Sequence, residues 1–143
     1  MSVQLSRKAI PYTPVSKPLS EMTLMIVSTA GVHLTSQEAF DTAGDTTYRV
    51  IPGDVLVTDL TVTHGAPKAE YDTDEPKKDP NTIFPIDRLR AFAEEGIIKG
   101  VAEKHITMMG YAMRLNEINA VTVPAIAKEV DRSRADAVLL TAG

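Results

Sequence analysis

Two short apolar runs, each closed by Thr-Ala-Gly, constrain the fold of this chain more than any other feature. The first, "MTLMIVS", spans residues 22–28 and passes into Thr29-Ala30-Gly31; the second, Ala137 to Leu140, passes into Thr141-Ala142-Gly143. Runs this short read as buried strands, because a core-facing helix needs ten or more residues with apolar positions three and four apart. Glycine after each run permits a sharp turn. Nothing flanking the two runs matches, so they are two similar strand-to-loop turns and not an internal repeat.

Between them the sequence alternates in character. "TTYRVIP" at 46–52 is β-rich and leads to the Pro52-Gly53 turn signal. "VLVTDLTVTH" at 55–64 reads as a further strand, although neither parity of its residues is cleanly apolar. Residues 65–82, rich in charge, Gly and Pro, read as a surface loop of the kind that carries function. "FPIDRLRAFAEEG" is the clearest helix: Pro85 suits the first turn, Ile86, Leu89 and Phe92 recur at helical spacing, and Gly96 suits the position after the last turn. "KHITMMG" at 104–110 is another strand, and a second helix begins near Thr122 with Pro124 in its first turn.

The back half is therefore helix, strand, helix, strand, with connections that suit crossovers in a parallel sheet. The predicted fold is α/β: a three-layer, mostly parallel sheet flanked by helices, Rossmann-like or flavodoxin-like, and incomplete at its C-terminus. Residues 1–21, with Pro11, Pro14 and Pro18, form an extended arm, and 22–143 form one α/β domain, truncated at the last strand. A flank left bare there would expose apolar surface and favour association into an oligomer. Ligands of such folds collect beyond the carboxyl ends of the strands, here the loops after Ser28, His64, Met109 and Leu140.

Bulk composition narrows the function classes. With 15 Lys and Arg against 19 Asp and Glu, the charges are interspersed and give a net charge of -4, which argues against a nucleic-acid partner. No apolar stretch approaches a membrane span and no signal peptide is visible, so the expected location is cytoplasmic. The absence of cysteine removes disulfides, thiolate nucleophiles and cysteine-held metals from the 143 residues.

His33 and His64 each follow a predicted strand and could face one crevice as acid, base or substrate contacts; each could equally make a structural hydrogen bond. His105 reads as the start of a strand. Asp45 and Arg49, four apart, either form a local salt bridge or offer Arg49 to a substrate carboxylate. Asp87, in a first helical turn, favours the helix dipole. No tight ligand spacing supports a metal, and the Thr-Ala-Gly of 29–31 by itself makes a weak anion nest.

Several separate segments in fixed order carry a resemblance: "YTPVSKPLSEMTLMIVSTAGVHL", "AGDTTYRVIP", "VTHG", "DPNTIFPIDRL" and the closing "DAVLLTAG". Together, from about Tyr12 to Gly143, they resemble the selenoprotein B family of glycine/sarcosine/betaine and D-proline reductases. The nearest likeness is to the selenocysteine-bearing subunit of D-proline reductase. In that family the segment resembling "VLLTAG" is followed directly by selenocysteine, encoded by UGA, so the resemblance implies a redox residue immediately after Gly143. It further implies reductive cleavage of a C–N bond in a small amino-acid substrate or its N-methyl derivative. A pyruvoyl group on a partner subunit activates the substrate, and thiol or selenoprotein electron-transfer proteins regenerate the site. On this reading residues 1–143 are inactive alone, and the crevice is lined by His33, His64, Asp45, Arg49, Thr141 and Gly143. A non-catalytic assembly subunit of such a complex, or an unrelated small-molecule-binding α/β domain, are the alternatives.

Overall fold

The computed structural model describes residues 13–67 and 70–142. Strand β1 (Thr23–Ser28) lies at the centre of the main sheet. After it, Gly31 turns at φ +71° and the chain reverses into a short strand, β2 (Val32–Leu34). A Cβ on Gly31 would stand 2.0 Å from the Thr63 carbonyl oxygen, so the turn requires glycine for both conformation and space. β3 (Tyr48–Pro52) follows, and then β4 (Leu60–Val62), which pairs antiparallel with β2 in a separate two-stranded ribbon.

Residues 55–64 thus hold a 3₁₀ turn at Val57–Asp59 and only three strand residues, where alternation predicted a longer strand. The charged stretch 65–82, predicted as a loop, contains a short helix α1 (Asp74–Lys78) and a 3₁₀ turn at Pro80–Thr82. Helix α2 (Ile86–Glu94) forms where periodicity placed it. Asn81 accepts from the Asp87 N–H, Asp87 pairs with Arg90 at 2.8 Å, and Arg90 donates to the Gly53 and Val55 carbonyls. That network clamps the 52–55 turn to the helix, a structural use for most of "NTIFPIDRLR".

β5 (Gly100–Val101) and β6 (Lys104–Met108) pair parallel with successive parts of one edge of β1. A helical stretch then runs from α3 (Leu115–Glu117) through a π turn at Ile118–Thr122 into α4 (Val123–Ser133), with Pro124 in its first turn as predicted. β7 (Ala137–Thr141) returns parallel along the other edge of β1, from Leu24↔Ala137 to Ser28↔Thr141. β3 pairs with β6 antiparallel, so the sheet is mixed rather than uniformly parallel. The sequence holds no helix between β2 and β3 to make a parallel crossover, and an antiparallel neighbour needs none.

Alternation along β1 divides the core. Leu24 and Ile26 face a large cluster with Val32, Ile51, Leu60, Phe84, Ile86 and Leu89, whereas Met25 and Val27 face Ile106, Val50, Ile126 and Val130. One face is therefore covered by α4, the other by α2 together with the β2–β4 ribbon. Each fully buried aliphatic side chain here contributes about 1.5–3 kcal/mol relative to exposure. The outer strand β7 is different: Leu140 is 75% exposed, and among the described residues β7 pairs only with β1. Residues 13–17 line a cleft beside Ala137 and Val138, and Lys17 pairs with Asp136 at 2.6 Å.

Candidate functional site

Because β1, β6 and β7 run parallel, they deliver Ser28, Met108 and Thr141 to one end of the sheet. A polar row crosses it there: Thr141 opposes Ser28, Ser28 opposes Thr107, and Thr107 opposes Arg49. Thr107 donates to the Val32 carbonyl at 2.6 Å, and Ser28 accepts from Ala30 N–H at 3.2 Å. The Thr141 hydroxyl is enclosed and has no partner among the described residues. Gly143 lies outside the described residues.

The Thr-Ala-Gly turn after β1 is not an anion nest. Thr29 N–H donates to the Thr141 carbonyl, Ala30 N–H to Ser28 Oγ, and Gly31 N–H to the Met108 carbonyl, so all three amides are used in holding the strand ends together.

Three of the sequence-predicted residues meet around Phe40. His33 lies within β2, not in the loop where the sequence put it, because the Gly31 turn reverses the chain at once. Its Nδ1 donates to the Leu34 carbonyl at 2.8 Å, its Nε2 meets Thr63 Oγ1 at 2.9 Å, and its ring packs edge-on to Phe40. The Arg49 guanidinium stands over the other contact of that ring, 4.3 Å from its centroid. It also donates to the Glu38 and Ala39 carbonyls and lies 3.7 Å from Asp45. Burial tends to raise the Asp45 pKa, but hydrogen bonds from the Thr47 hydroxyl and from the Asp41 and Thr47 amides, with the Arg49 charge, outweigh it and leave the group below the ordinary carboxylate range. Every polar atom of this knot has an internal task.

His64 sits apart, in the loop beyond β4. Its Nδ1 accepts from Ala66 N–H at 3.1 Å, which assigns the ring proton to Nε2. The ring packs against Tyr71, centroids 4.4 Å apart, and against Tyr111 at 6.4 Å. Burial holds His64 below its ordinary pKa and Tyr71 above its own, so both carry their protons as neutral donors near pH 7. His64 Nε2 and the Tyr71 hydroxyl are both enclosed, and neither has a partner among the described residues. Gly65 pins the loop: a Cβ there would lie 2.3 Å from the Thr42 carbonyl oxygen and 2.6 Å from the Tyr111 ring.

Sequence reasoning missed Tyr71 and Tyr111. Only Gly110, beside Tyr111, and Gly65, beside His64, hinted at close backbone approach. His105 belongs to the core: fully buried in β6, it accepts from Ile26 N–H through Nδ1 and packs edge-on to Phe84. Burial, with the charge of Arg90, lowers its pKa to about 4. A cleft of about 400 Å³ under α4, lined by Met25, Glu103, Lys104, Glu129 and Arg132, contains none of the residues singled out from the sequence. Among the described residues no cluster of three or more His, Asp or Glu could hold a metal, and no helix is long and apolar enough to cross a membrane.

Comparison with known proteins bears on this strand-end geometry. The family described as glycine/sarcosine/betaine reductase selenoprotein B matches residues 4–143. The chain belongs to the selenoprotein B family. Within it, the D-proline reductase subunit gamma of Acetoanaerobium sticklandii is 44% identical over 132 residues. That alignment covers 92% of this chain and 53% of the relative, so the chain spans about half the length of the curated protein it matches. No solved structure matches the chain. The structure sets Thr141 at the end of β7, beside the ends of β1 and β6.

Proposed function

We propose that this chain is the selenoprotein subunit of a D-proline reductase-type enzyme, acting with a pyruvoyl-bearing partner subunit and thiol or selenoprotein electron donors in the cytoplasm. The observation that carries the reading is the parallel β1–β7 register, which brings Thr141 to the same sheet end as the loops holding His64 and Tyr111. The 44% identity to a protein named for D-proline reduction supports D-proline as the substrate. In this reading residues 22–143 belong to one α/β domain that continues past Gly143, and residues 1–12 of the predicted arm lie outside the described residues. β6, β1 and β7 with α4 make the parallel part of a three-layer, Rossmann-like arrangement.

The residues at the end of β7 suit a selenocysteine that follows "VLLTAG". The enclosed Thr141 hydroxyl is an uncommitted donor there. Gly110 lets the chain after β6 pack closely on the turn after β1: a Cβ there would meet the Thr29 carbonyl oxygen at 3.0 Å. Selenocysteine in that position supplies a soft, readily ionised nucleophile. The chain's own residues supply the setting. Thr29 N–H fixes the Thr141 carbonyl and so the exit of the strand. Neutral His64 holds a proton on Nε2 at the crevice. The knot of His33, Asp45 and Arg49 around Phe40 keeps the 38–49 loop in place beside it.

The overall reaction is balanced by two thiols. Cleaving the ring C–N bond of D-proline forms one C–H and one N–H bond, consuming two electrons and two protons, while two thiols become a disulfide. The test is to incubate the native complex with D-proline and a dithiol. Ring-opened 5-aminopentanoate should form in equal amount to oxidised dithiol. An assembled, selenium-containing complex that leaves D-proline intact would overturn the reading.

A further inference from the structure

We propose that His64 and Tyr71 form a two-donor seat for the carboxylate of the amino-acid substrate, with Tyr111 as its aromatic wall. The inference rests on the functional reading above for the identity of the substrate, and on the structure for the seat.

Four observations support it. Among the described residues, His64 Nε2–H and Tyr71 O–H are both enclosed without an acceptor, within one aromatic cluster. A desolvated donor without an acceptor is costly, so two within one aromatic cluster mark a place that an acceptor would relieve. The Ala66 N–H bond to Nδ1 makes His64 a donor at Nε2, not an acceptor, which excludes an ammonium group as its partner and suits a carboxylate oxygen. The cluster stands beyond the carboxyl ends of β4 and β6, since Tyr111 follows β6 by three residues. Finally, Gly65 is wedged between Thr42 and Tyr111, so the imidazole is carried on a backbone held in place.

Both donors are neutral, so recognition would come from hydrogen bonds to an ionised acceptor in a place poor in water, each stronger than a bond between neutral groups. The seat would therefore distinguish D-proline from pyrrolidine, which keeps the ring and the amine but lacks the carboxylate.

The test is a titration of the native full-length subunit with D-proline, acetate and pyrrolidine, read by NMR at the His64 ring nitrogens. D-Proline and acetate should shift the Nε2 resonance saturably, and pyrrolidine should not. Tyr71→Phe should weaken D-proline binding about tenfold, the loss of roughly one hydrogen bond to a charged group. His64→Asn, whose side-chain oxygen can still accept from Ala66 N–H, should do the same without loosening the loop, and Tyr48→Phe, on β3, should bind as the parent does. If D-proline binds with the His64 nitrogens unmoved and both variants bind normally, the seat is wrong while the reductase reading stands. If acetate shifts His64 and D-proline does not, the seat stands and the choice of substrate fails. If neither carboxylate moves His64, the proposal is overturned.

Discussion

His33 and His64 both lie near predicted strand ends in the sequence, yet their surroundings are opposites. Around His33, every polar atom is committed: both ring nitrogens, the Asp45 carboxylate and the Arg49 guanidinium all have protein partners, and Phe40 touches both His33 and Arg49. Around His64, one ring nitrogen and the neighbouring Tyr71 hydroxyl are enclosed and have no partner among the described residues. A group whose hydrogen bonds are complete holds architecture together; a group that is desolvated and incomplete has capacity to recognise something else. The two histidines are joined through adjacent residues, since Thr63 bonds His33 and precedes His64, so the rigid knot supports the receptive cluster.

The largest effect on this contrast should come from Gly31→Ala, which touches both regions. The added Cβ would meet the Thr63 carbonyl at 2.0 Å and the backbone sits at φ +71°. We expect a loss on the order of 4 kcal/mol or failure to fold, read by urea denaturation. Next is the third histidine, His105, whose Nε2 is also unpartnered but lies in the core. Its pKa is lowered to about 4, so the unfolded chain takes up a proton first as pH falls, and stability should drop by about 3 kcal/mol between pH 6.5 and 4. His105→Asn should flatten that window.

Within the knot, Asp45→Ala should cost about 2 kcal/mol, since it strands three donors and the Arg49 charge. The Asp45 pKa is lowered by folding, so its contribution is present above the ordinary carboxylate pKa and is lost as pH falls through the folded value. That window lies below the one set by His105, and pH-dependent unfolding of Asp45→Asn separates them. The smallest effect on stability should be that of His64→Asn, about 0.5 kcal/mol or less, because the bond to Ala66 can be kept and no other is lost. A loss as large as that of Asp45→Ala would erase the contrast.

Much of the frame was legible from the residues. The compact runs at 22–28 and 137–141, the helix after Pro85 and the first-turn Pro124 signal all act locally, through strand burial and the fixed φ of proline, and the structure has elements at each. What escaped notice depends on distant backbone. The β2–β4 ribbon is three residues long on each side and alternation over so few residues carries little signal. The antiparallel sense of β3 follows from its partner β6, over fifty residues away in sequence. Asp45 and Arg49 were readable as a local pair because they are four apart. His64 and Tyr111 lie 47 positions apart in sequence, and Gly65 lets the loop after His64 approach Tyr111 closely.

The central claim, that the reacting group of this reductase subunit stands at the carboxyl end of β7, can be tested on one peptide. Trypsin cuts after Arg134, so the peptide starting at Ala135 carries β7 and whatever follows Gly143 in the native protein. Peptide mass spectrometry of protein reduced and alkylated in its native complex should find that peptide extending past Gly143, with the selenium isotope pattern and an alkyl group on the next residue. A native peptide that terminates at Gly143, or selenium placed elsewhere in the protein, would contradict the account.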